Sequence, residues 1–368
     1  MKVLVTGAGG FLGQNLRAHF LERKDVEVLA LDRRSTPDDW AQAAAAADAV
    51  FHLAGVNRPQ DPAEFASGNR DVTRRLCELL RATGRAVPVL YTSSTQAGRD
   101  NAYGASKREA EEALLAYRAA TGAPVHIHRL PNVFGKWARP NYNSAVATFC
   151  HNIARGLPIQ VNDPAAKLTL VYVDDVVEAF LALLQAQPGD EPFRQVKPQY
   201  ETTVGEVAAL VAAFRECRQN LTPGPVGTGL PRALYATYVS YLPQEAFAYP
   251  VPKYGDARGV FVEMLKTRDA GQFSYFTAHP GITRGGHYHH TKTEKFLVIQ
   301  GRARFGFRHL MTGERFELFT SGDEPRIVDT VPGWSHDITN VGEEQMVVML
   351  WANEVFDRAR PDTFTHPV

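Results

Sequence analysis

The sequence predicts two domains, a doubly wound parallel α/β sheet followed by an all-β jelly-roll barrel. The first prediction rests on residues 1 to about 130, where apolar strands alternate with helical segments, as in a parallel sheet covered by helices. The second rests on short apolar runs bounded by glycines, which recur beyond about residue 245. A chain of 368 residues is long enough for two cores, so we expect domains at 1–245 and 246–368.

Bulk composition excludes several classes of protein. The 40 basic and 40 acidic residues cancel without a long basic run, so nucleic acid is not an expected partner. No stretch approaches the roughly 18 apolar residues of a membrane span, and Thr6 with the following glycines interrupts any signal peptide. The scattered Cys77, Cys150 and Cys217 fit a reducing cytoplasm rather than a disulfide scaffold.

The first strand, Lys2–Val5, runs directly into the glycine-rich segment TGAGGFLG. Gly7 allows a sharp turn, Gly10 lets the backbone approach a pyrophosphate, and Gly13 lets the next helix pack closely on the strand. The N–H groups at the start of that helix would face the phosphates. This context favours a dinucleotide site over a merely tight turn.

The second strand ends at a residue that usually selects the cofactor. Asp32 is suited to the ribose hydroxyls of NAD, whereas the next residues, Arg33 and Arg34, suit the 2′-phosphate of NADP. The two signals conflict. The other predicted elements of this sheet are the strands Glu27–Leu31, Ala49–Leu53, Pro88–Thr92 and Val125–Leu130 and the helices Val72–Ala82 and Ser106–Ala120.

A proton donor is predicted after the fourth strand, where Ser93 is followed by Tyr103 and Lys107. In a helix Tyr103 and Lys107 lie one turn apart, and an ammonium beside a phenol lowers the pKa of the phenol. Ser93 would hold a ketone while Tyr103 protonates its oxygen and hydride arrives from nicotinamide. Either Ser94 or Thr95 takes the place of Ser93 if the strand register differs by a residue or two.

Residues 1–245 resemble the extended short-chain dehydrogenase/reductase family, which has a Rossmann-type fold. The resemblance rests on the segments TGAGGFLG, HLAG and YGASK, on Asn69 and on the serines near residue 93. The resemblance implies a triad of Ser93, Tyr103 and Lys107, with Asn69 supporting a proton relay. Ala97 stands where many sugar-modifying members have a tyrosine, which favours plain reduction in this domain. The implied cofactor contacts are Gly7, Gly10, Phe11, Leu12, Gly13, Asp32, Arg33, Arg34, Leu53, Ala54, Gly55, Tyr103 and Lys107.

A polar segment precedes the helical stretch Ser144–Ala154. In this family the nucleotide diphosphate of a sugar donor binds there. An equal alternative is that Asn143 or Ser144 only caps the helix. The residues that the resemblance implies for the substrate are Asn132, Lys136, Asn141 and Asn143.

The segment HYHHTKTEKFLVIQG, residues 287 to 301, predicts a metal site. His287 and His289 share one face of a strand, and Glu294 and His336 complete a set of three imidazoles and one carboxylate. Such a set suits zinc, iron, nickel or manganese, one ion per chain, with zinc our choice. The alternative is a surface histidine cluster without function.

Both histidine motifs resemble those of the cupin family, although Pro332 and Gly333 are adjacent where the second motif usually has a residue between them. Residues Thr222 to Pro252 lack clear periodicity, which places the domain boundary among them. The predicted barrel strands are Gly259–Leu265, Gln272–Ala278, Lys295–Ile299, Ala303–Arg308, Arg315–Phe319, Ile327–Thr330 and Gln345–Ala352.

The combination of both domains, with NVFGKW, PNYNS and HTKTEKF, resembles the CapF-type enzymes of capsule and O-antigen synthesis across the chain. The resemblance implies C3 epimerisation of UDP-2-acetamido-2,6-dideoxy-L-arabino-hexos-4-ulose in the cupin. NADPH-dependent C4 reduction then gives UDP-2-acetamido-2,6-dideoxy-L-talose, on the route to UDP-N-acetyl-L-fucosamine. It also implies a homodimer, formed through the cupin domains.

Two other hypotheses remain at this point. The first is a simple reductase whose cupin is a metal-stabilised dimerisation module. The second is a cofactor-binding regulator, against which the intact Tyr103 and Lys107 argue. For epimerisation, strand alternation places Tyr288 and His290 on the face opposite His287 and His289, which makes Lys292 marginally preferable as the base. An equal alternative is that Tyr288, His290 and Lys292 are all ordinary residues of the rim.

Overall fold

The structure is a computed structural model, and it describes residues 1–184, 191–256, 259–262, 264–265, 271–354, 357 and 359–368. Internal contacts divide the chain into two units. The first comprises Met1–Val133 and Thr169–Glu201, and the second comprises Phe134–Leu168 and Thr202–Val368. The chain therefore passes between the units three times. The boundary between residues 245 and 246 stays a prediction.

The first unit contains a six-stranded sheet in the order β2-β1-β3-β4-β5-β8, with every neighbouring pair parallel. The predicted doubly wound sheet is thus confirmed. The strands of this half of the chain are β1 Lys2–Thr6, β2 Glu27–Leu31, β3 Ala49–His52, β4 Val89–Ser94, β5 Val125–Leu130, β6 Asn132–Phe134, β7 Lys167–Tyr172, β8 Phe193–Arg194 and β9 Tyr200–Thr203.

Helices cover both faces of this sheet because successive strand residues point to opposite sides. Leu4 packs with Leu76 and Leu114 on one face, while Val3 and Phe180 belong to the core of the other. The α-helices of the chain are α1 Phe11–Phe20, α2 Pro37–Ala46, α3 Val72–Ala82, α4 Ala102–Thr121, α5 Ala145–Ala154, α6 Val173–Leu183, α7 Val204–Asn220 and α8 Gly229–Ser240.

Two helices differ from the prediction. Helix α4 begins at Ala102 rather than Ser106, because the Asn101 side chain accepts the Gly104 N–H at 2.8 Å and caps the helix earlier. Helix α8 lies within residues 222–252, where the sequence shows no clear periodicity and the domain boundary was predicted. Its residues 233–239 are all buried, and a helix that is buried on every side has no amphipathic pattern to detect.

The second unit contains two five-stranded sheets, in the orders β10-β18-β15-β20-β13 and β17-β16-β19-β14-β21, as expected for a jelly roll. Strands β11 and β12 form a separate hairpin. The strands are β10 Ala248–Pro250, β11 Lys253–Asp256, β12 Gly259–Val262, β13 Gln272–Ala278, β14 Thr283–Tyr288, β15 Glu294–Gln300, β16 Arg302–His309, β17 Arg315–Ser321, β18 Arg326–Asp329, β19 Trp334–Asn340, β20 Met346–Ala352 and β21 Phe364–Thr365.

Four strands of the two barrel sheets, β10, β14, β19 and β21, were absent from the prediction, and two of them, β14 and β19, carry His287 and His336. Strand β14 reads TRGGHY, and its two glycines, with φ of 99° and 72°, shift the register beside His287. A glycine-rich polar strand has no hydrophobic alternation to recognise. The predicted strand Gly259–Leu265 ends at Val262, and residue 263 lies outside the described residues.

Candidate active site and metal centre

The glycine turn after β1 brings backbone atoms closer together than side chains would allow. Gly7 has a φ of 68°, and a Cβ there would lie 2.7 Å from the Ala54 backbone nitrogen. A Cβ on Gly13 would lie 2.3 Å from the Gly7 carbonyl oxygen, so only glycine lets α1 pack on the strand. Gly10 is the N-cap of α1 and has no side chain to accept the first N–H groups, which leaves them available for phosphate.

Asp32 lies just beyond β2, where a ribose is expected. Its carboxylate accepts the backbone N–H of Arg34 at 2.8 Å and the Arg34 guanidinium at 3.2 Å. The hydrogen bonds from Arg34 lower the pKa of Asp32, so the carboxylate is ionised at neutral pH. The Arg34 side chain is 91% exposed and Arg33 is exposed, so both lie at the surface near Asp32.

Tyr103 lies in the first turn of α4, with its phenol hydrogen-bonded to the Ser94 side chain. Lys107 lies one turn later, and its ammonium is 6.0 Å from the centre of the Tyr103 ring. The ammonium donates instead to the Tyr91 hydroxyl at 3.2 Å and the Thr92 carbonyl at 3.0 Å. The structure therefore brings Tyr103 and Lys107 together on one face of α4, as the spacing predicted.

The electrostatics of this pair differ from the prediction. Burial raises the pKa of Tyr103, against the hydrogen bond from Ser94, so the expected lowering by Lys107 is wrong for this arrangement. The reason is that the ammonium is directed at Tyr91 and Thr92. Burial also lowers the pKa of Lys107 to about 8, partly opposed by the nearby Glu111 carboxylate.

The catalytic role of Ser93 stays a prediction, although its hydroxyl has a partner other than Tyr103. Its hydroxyl donates to the buried Glu111 carboxylate at 2.5 Å, and Arg129 pairs with the same carboxylate at 2.9 and 2.6 Å. Ser94, and not Ser93, is hydrogen-bonded to the Tyr103 phenol, and both serines contact the same face of α4, on which Tyr103 and Glu111 lie two turns apart. Ser94 was the alternative that the sequence had left open.

Asn69 is buried, and Gly55 relates its position to that of Lys107. The Asn69 side chain accepts the Val56 N–H and donates to the Val56 carbonyl, both at 2.9 Å. It also donates to the Ser106 hydroxyl at 3.0 Å. A Cβ on Gly55 would lie 2.8 Å from the Asn69 Oδ1 and 3.1 Å from the Lys107 ammonium nitrogen. Asn69, Gly55 and Lys107 therefore lie within reach of one another, as a proton relay requires.

Sequence reasoning missed His52, which is fully buried at the end of β3. Its Nδ1 lies 2.7 Å from the Thr6 hydroxyl and its Nε2 lies 2.8 Å from the Thr73 hydroxyl, which in turn donates to the Asn69 carbonyl. Burial lowers the pKa of His52 to about 3, so the ring is neutral. The motif HLAG contained this residue, but no spacing rule pointed to its role.

The predicted substrate residues divide between the two units. Asn132 lies in the first, where its amide donates to the Thr169 carbonyl at 3.2 Å. In the second, Lys136 is buried with its ammonium 5.5 Å from the Trp137 ring. Asn141, with a φ of 53°, and Asn143 are exposed.

The cap of helix α5 agrees with the capping alternative and leaves the substrate prediction untested. The Ser144 hydroxyl accepts the Ala147 N–H at 3.2 Å, so Ser144, and not Asn143, caps the helix. Asn143 therefore does not cap α5. Its contact with a nucleotide diphosphate, like those of Asn132, Lys136 and Asn141, stays a prediction.

The four predicted metal ligands converge inside the barrel. His287 and His336 are directly paired across β14 and β19, and Glu294 begins β15 in the opposite sheet. One ligand atom from each of His287, His289, Glu294 and His336 lies within 4.8 Å of all the others. The surface-cluster alternative is wrong, because His289, Glu294 and His336 are buried.

The protonation pattern of this cluster fits a cation. The Nδ1 of His289 lies 2.6 Å from the Asp362 carbonyl oxygen, which only accepts, so the proton is on Nδ1. The Nε2 of His289 then faces the Glu294 carboxylate at 3.0 Å, an arrangement that needs a second proton or a metal ion between them. Both ring nitrogens of the buried His336 lack a hydrogen-bond partner among the described residues.

Electrostatics favour the metal-binding form of these side chains. Burial lowers the pKa of His287 to about 3 and also lowers that of His336, so both imidazoles are neutral. Although burial opposes ionisation of Glu294, His289 and His336 hold its pKa well below the usual range. Neutral imidazoles and an ionised carboxylate are the forms that bind zinc.

Lys292 lies beside these ligands, with its ammonium 3.6 Å from the Glu294 carboxylate and hydrogen-bonded to the Thr363 hydroxyl at 2.9 Å. The rings of Tyr288 and His290 pack against each other, 5.5 Å apart, and against Phe364. Strand β14 ends at Tyr288, so the strand alternation that favoured Lys292 does not extend to residues 289–292. The role of Lys292 as the base stays a prediction.

Comparisons with known proteins cover both halves of the chain. Residues 3–195 match the NAD-dependent epimerase/dehydratase family, and residues 254–364 match the polysaccharide biosynthesis C-terminal domain. The chain is 59% identical, over 99% of its length and 98% of the relative, to UDP-2-acetamido-2,6-beta-L-arabino-hexul-4-ose reductase from Pseudomonas aeruginosa.

Solved structures give the same result for the fold. The capsular polysaccharide assembling protein CapF from Staphylococcus aureus aligns over 100% of both chains, with a TM-score of 0.69 and 41% identity. UDP-glucose 4-epimerase from Thermus thermophilus in complex with NAD aligns over 66% of this chain and 99% of its own, with a TM-score of 0.53 and 21% identity. The second likeness concerns the fold alone. Among the described residues, no helix is long and apolar enough to span a bilayer.

Proposed function

We propose that this chain is a nucleotide-sugar reductase of polysaccharide biosynthesis. It belongs to the NAD-dependent epimerase/dehydratase family. Over its whole length it belongs to the family of the P. aeruginosa hexulose reductase and of CapF. The observation that carries the proposal is the buried group of Ser94, Tyr103 and Lys107. This group lies at the carboxyl ends of the parallel strands, where ligands bind in such sheets.

The residues of this group have distinct tasks in reducing a ketone. The Ser94 hydroxyl holds the carbonyl oxygen beside the phenol, and Tyr103 gives that oxygen its proton as hydride from the nicotinamide reaches the carbon. The Lys107 ammonium stabilises the phenolate that forms. Asn69, which donates to the Ser106 hydroxyl in α4, supports the relay by which a proton from solvent restores the Tyr103 phenol.

The proposed cofactor is NADPH and the proposed substrate is UDP-2-acetamido-2,6-dideoxy-L-arabino-hexos-4-ulose. The substrate is supported by the activity of the 59% identical relative, and the 2′-phosphate of the cofactor by the exposed arginines Arg33 and Arg34. The proposed product is UDP-2-acetamido-2,6-dideoxy-L-talose, a precursor of UDP-N-acetyl-L-fucosamine for capsule or O-antigen.

Incubation of the full chain with this ketosugar and NADPH tests the reductase. We expect stoichiometric loss of NADPH and a product that nuclear magnetic resonance identifies as the C4 alcohol. The Tyr103→Phe variant should fold and leave the ketone unchanged. Turnover of NADPH without change at C4 of the sugar would overturn the proposal.

A second activity, C3 epimerisation, is favoured by the group of Lys292 and the four predicted metal ligands. In this activity the Lys292 amine removes the C3 proton and a proton returns to the opposite face of the sugar. A bound zinc ion, or another divalent metal held by His287, His289, Glu294 and His336, would polarise the substrate carbonyl. The simple reductase, whose barrel is only braced by metal, is the alternative.

Deuterium exchange separates these two alternatives. The full-length Tyr103→Phe variant, which cannot reduce the ketone, should incorporate deuterium at C3 in D₂O without NADPH. A Tyr103→Phe, Lys292→Met double variant should not incorporate deuterium. If C3 keeps its proton in the single variant, epimerisation is excluded and the simple reductase stands.

We also propose that the enzyme works as a cytoplasmic homodimer associated through its C-terminal barrel. Support comes from the exposed apolar side chains of that barrel, among them Tyr275 at 73% and Phe319 at 59% exposure. Sedimentation equilibrium of the full chain should give twice the mass of 40.7 kDa, and a monomer would contradict the dimer.

A further inference from the structure

The segment at the end of the chain encloses the loop that carries the metal ligand His289. Residues 289–292, here called the ligand loop, connect strands β14 and β15. Residues 362–366, here called the C-terminal clamp, include strand β21, which pairs with β14 through His287↔Thr365 and Tyr288↔Phe364. The clamp therefore contacts His287 through β21, and it contacts His289 and His290 through Asp362.

Asp362 makes most of the contacts between the clamp and the ligand loop. One carboxylate oxygen accepts the N–H of His290 at 2.9 Å, and the other accepts the N–H groups of Thr291 at 2.9 Å and Lys292 at 2.7 Å. The Thr291 hydroxyl also donates to it, at 3.2 Å. Three successive backbone N–H groups thus converge on one anion, which fixes the path of the loop.

The backbone of Asp362 acts on His289 directly. Its carbonyl oxygen lies 2.6 Å from the His289 Nδ1, which keeps the proton there and leaves Nε2 directed at Glu294. Asp362 has a φ of 36°, a conformation that non-glycine residues rarely adopt. This turn aims the carbonyl at the imidazole while the carboxylate reaches the loop.

We propose that Asp362 is the positioning residue of the metal centre, because it holds the ligand loop and sets the tautomer and orientation of His289. The inference rests on the proposed metal site and extends it to a residue remote from the ligands in sequence. Asp362 does not ligate the metal. Partners that orient a histidine ligand in this way typically contribute 10- to 100-fold to metal affinity.

The test compares zinc affinity in full-length variants by competition with a chromogenic chelator, with the rate of zinc loss as a second reading. Asp362→Gly removes the carboxylate but accepts the positive φ, so it should weaken zinc binding about 10- to 100-fold and speed zinc release. Asp362→Asn keeps one acceptor oxygen and should lose less, about 10-fold. Asp357→Asn is the matched control, because Asp357 is exposed and its carboxylate accepts the Ala359 N–H at 2.8 Å.

The outcomes are distinct. Wild-type affinity in Asp362→Gly, or in Asp362→Asn if the glycine variant does not fold, would overturn the inference while leaving the metal site intact. Failure of the wild-type chain to bind zinc would overturn both. Equal weakening in Asp357→Asn would also contradict the role of Asp362, because it would show a general effect of charge near the end of the chain.

Discussion

Replacing Ser94 with alanine should slow ketone reduction far more than replacing Ser93, although the two serines are adjacent. The Ser94 side chain is hydrogen-bonded to the Tyr103 phenol, so Ser94→Ala removes the group that holds the ketone oxygen beside the acid. Loss of one such donor typically lowers kcat by about 10²–10³-fold, or about 2.7–4 kcal/mol of transition-state stabilisation. Cofactor binding should not change, because the glycine turn lies elsewhere.

Ser93→Ala should instead affect stability. It removes a hydrogen bond to the buried Glu111 carboxylate, which keeps Arg129 as a partner at 2.9 and 2.6 Å. A hydrogen bond to a charged group contributes about 1.5–3 kcal/mol, so the free energy of unfolding should fall by roughly that amount.

The assay is single-turnover oxidation of NADPH by the ketosugar, with thermal unfolding of each variant measured in parallel. We expect a slow but stable Ser94→Ala enzyme and a less stable Ser93→Ala enzyme with nearly normal turnover. A slow Ser93→Ala enzyme and a less stable Ser94→Ala enzyme with nearly normal turnover would show that Ser93, and not Ser94, holds the ketone oxygen.

Four further results are expected. Tyr103→Phe should lower the rate of reduction by about 10²–10⁴-fold with unchanged NADPH affinity, measured by fluorescence titration; near-normal reduction would contradict it. Since burial lowers the pKa of Lys107 to about 8, the ammonium is present below that pH and lost above it, so reduction should decline as pH rises through 8. Lys107→Met should remove this decline, and a decline that persists would assign it elsewhere. Elemental analysis should find about one metal per chain, and none in a His287→Ala, His336→Ala double variant. Finally, kcat/KM should favour NADPH over NADH, and Arg34→Ala should reduce that preference; a clear preference for NADH in the wild type would refute the cofactor proposal.

The parallel sheet was predictable because its strands and turns obey local rules. A Cβ at Gly7 or Gly13 would lie less than 3 Å from backbone atoms, so these positions require glycine, and the glycines can be recognised in the sequence. The choice between Ser93 and Ser94 was not predictable, because both serines contact the same face of α4 and only their tertiary partners distinguish them. Only the contact of Ser93 with Glu111, 18 positions later, determines which serine reaches Tyr103.

The spacing of the histidines and of Glu294 was enough to group the four proposed metal ligands, but the strands that carry His287 and His336 were not predicted. The bend at Gly285 and Gly286 and the polar sequence of β19 lack hydrophobic alternation, yet they bring His287 and His336 into direct register. The role of Asp362 could not be predicted either, because its contacts with residues 289–292 join positions about 70 residues apart in sequence. Such contacts follow from tertiary packing, which no short pattern encodes.

The chemistry of the proposed substrate fixes the order of the two proposed steps. The C3 proton is acidic only while C4 is a ketone, because the carbanion is then stabilised as an enolate. Hydride addition at C4 removes that stabilisation, so Lys292 has to act before Tyr103 does. Reduction with excess NADPH is effectively irreversible and traps whichever C3 epimer Tyr103 protonates. The reductase therefore sets the final configuration, even if the epimerisation equilibrium favours the other epimer.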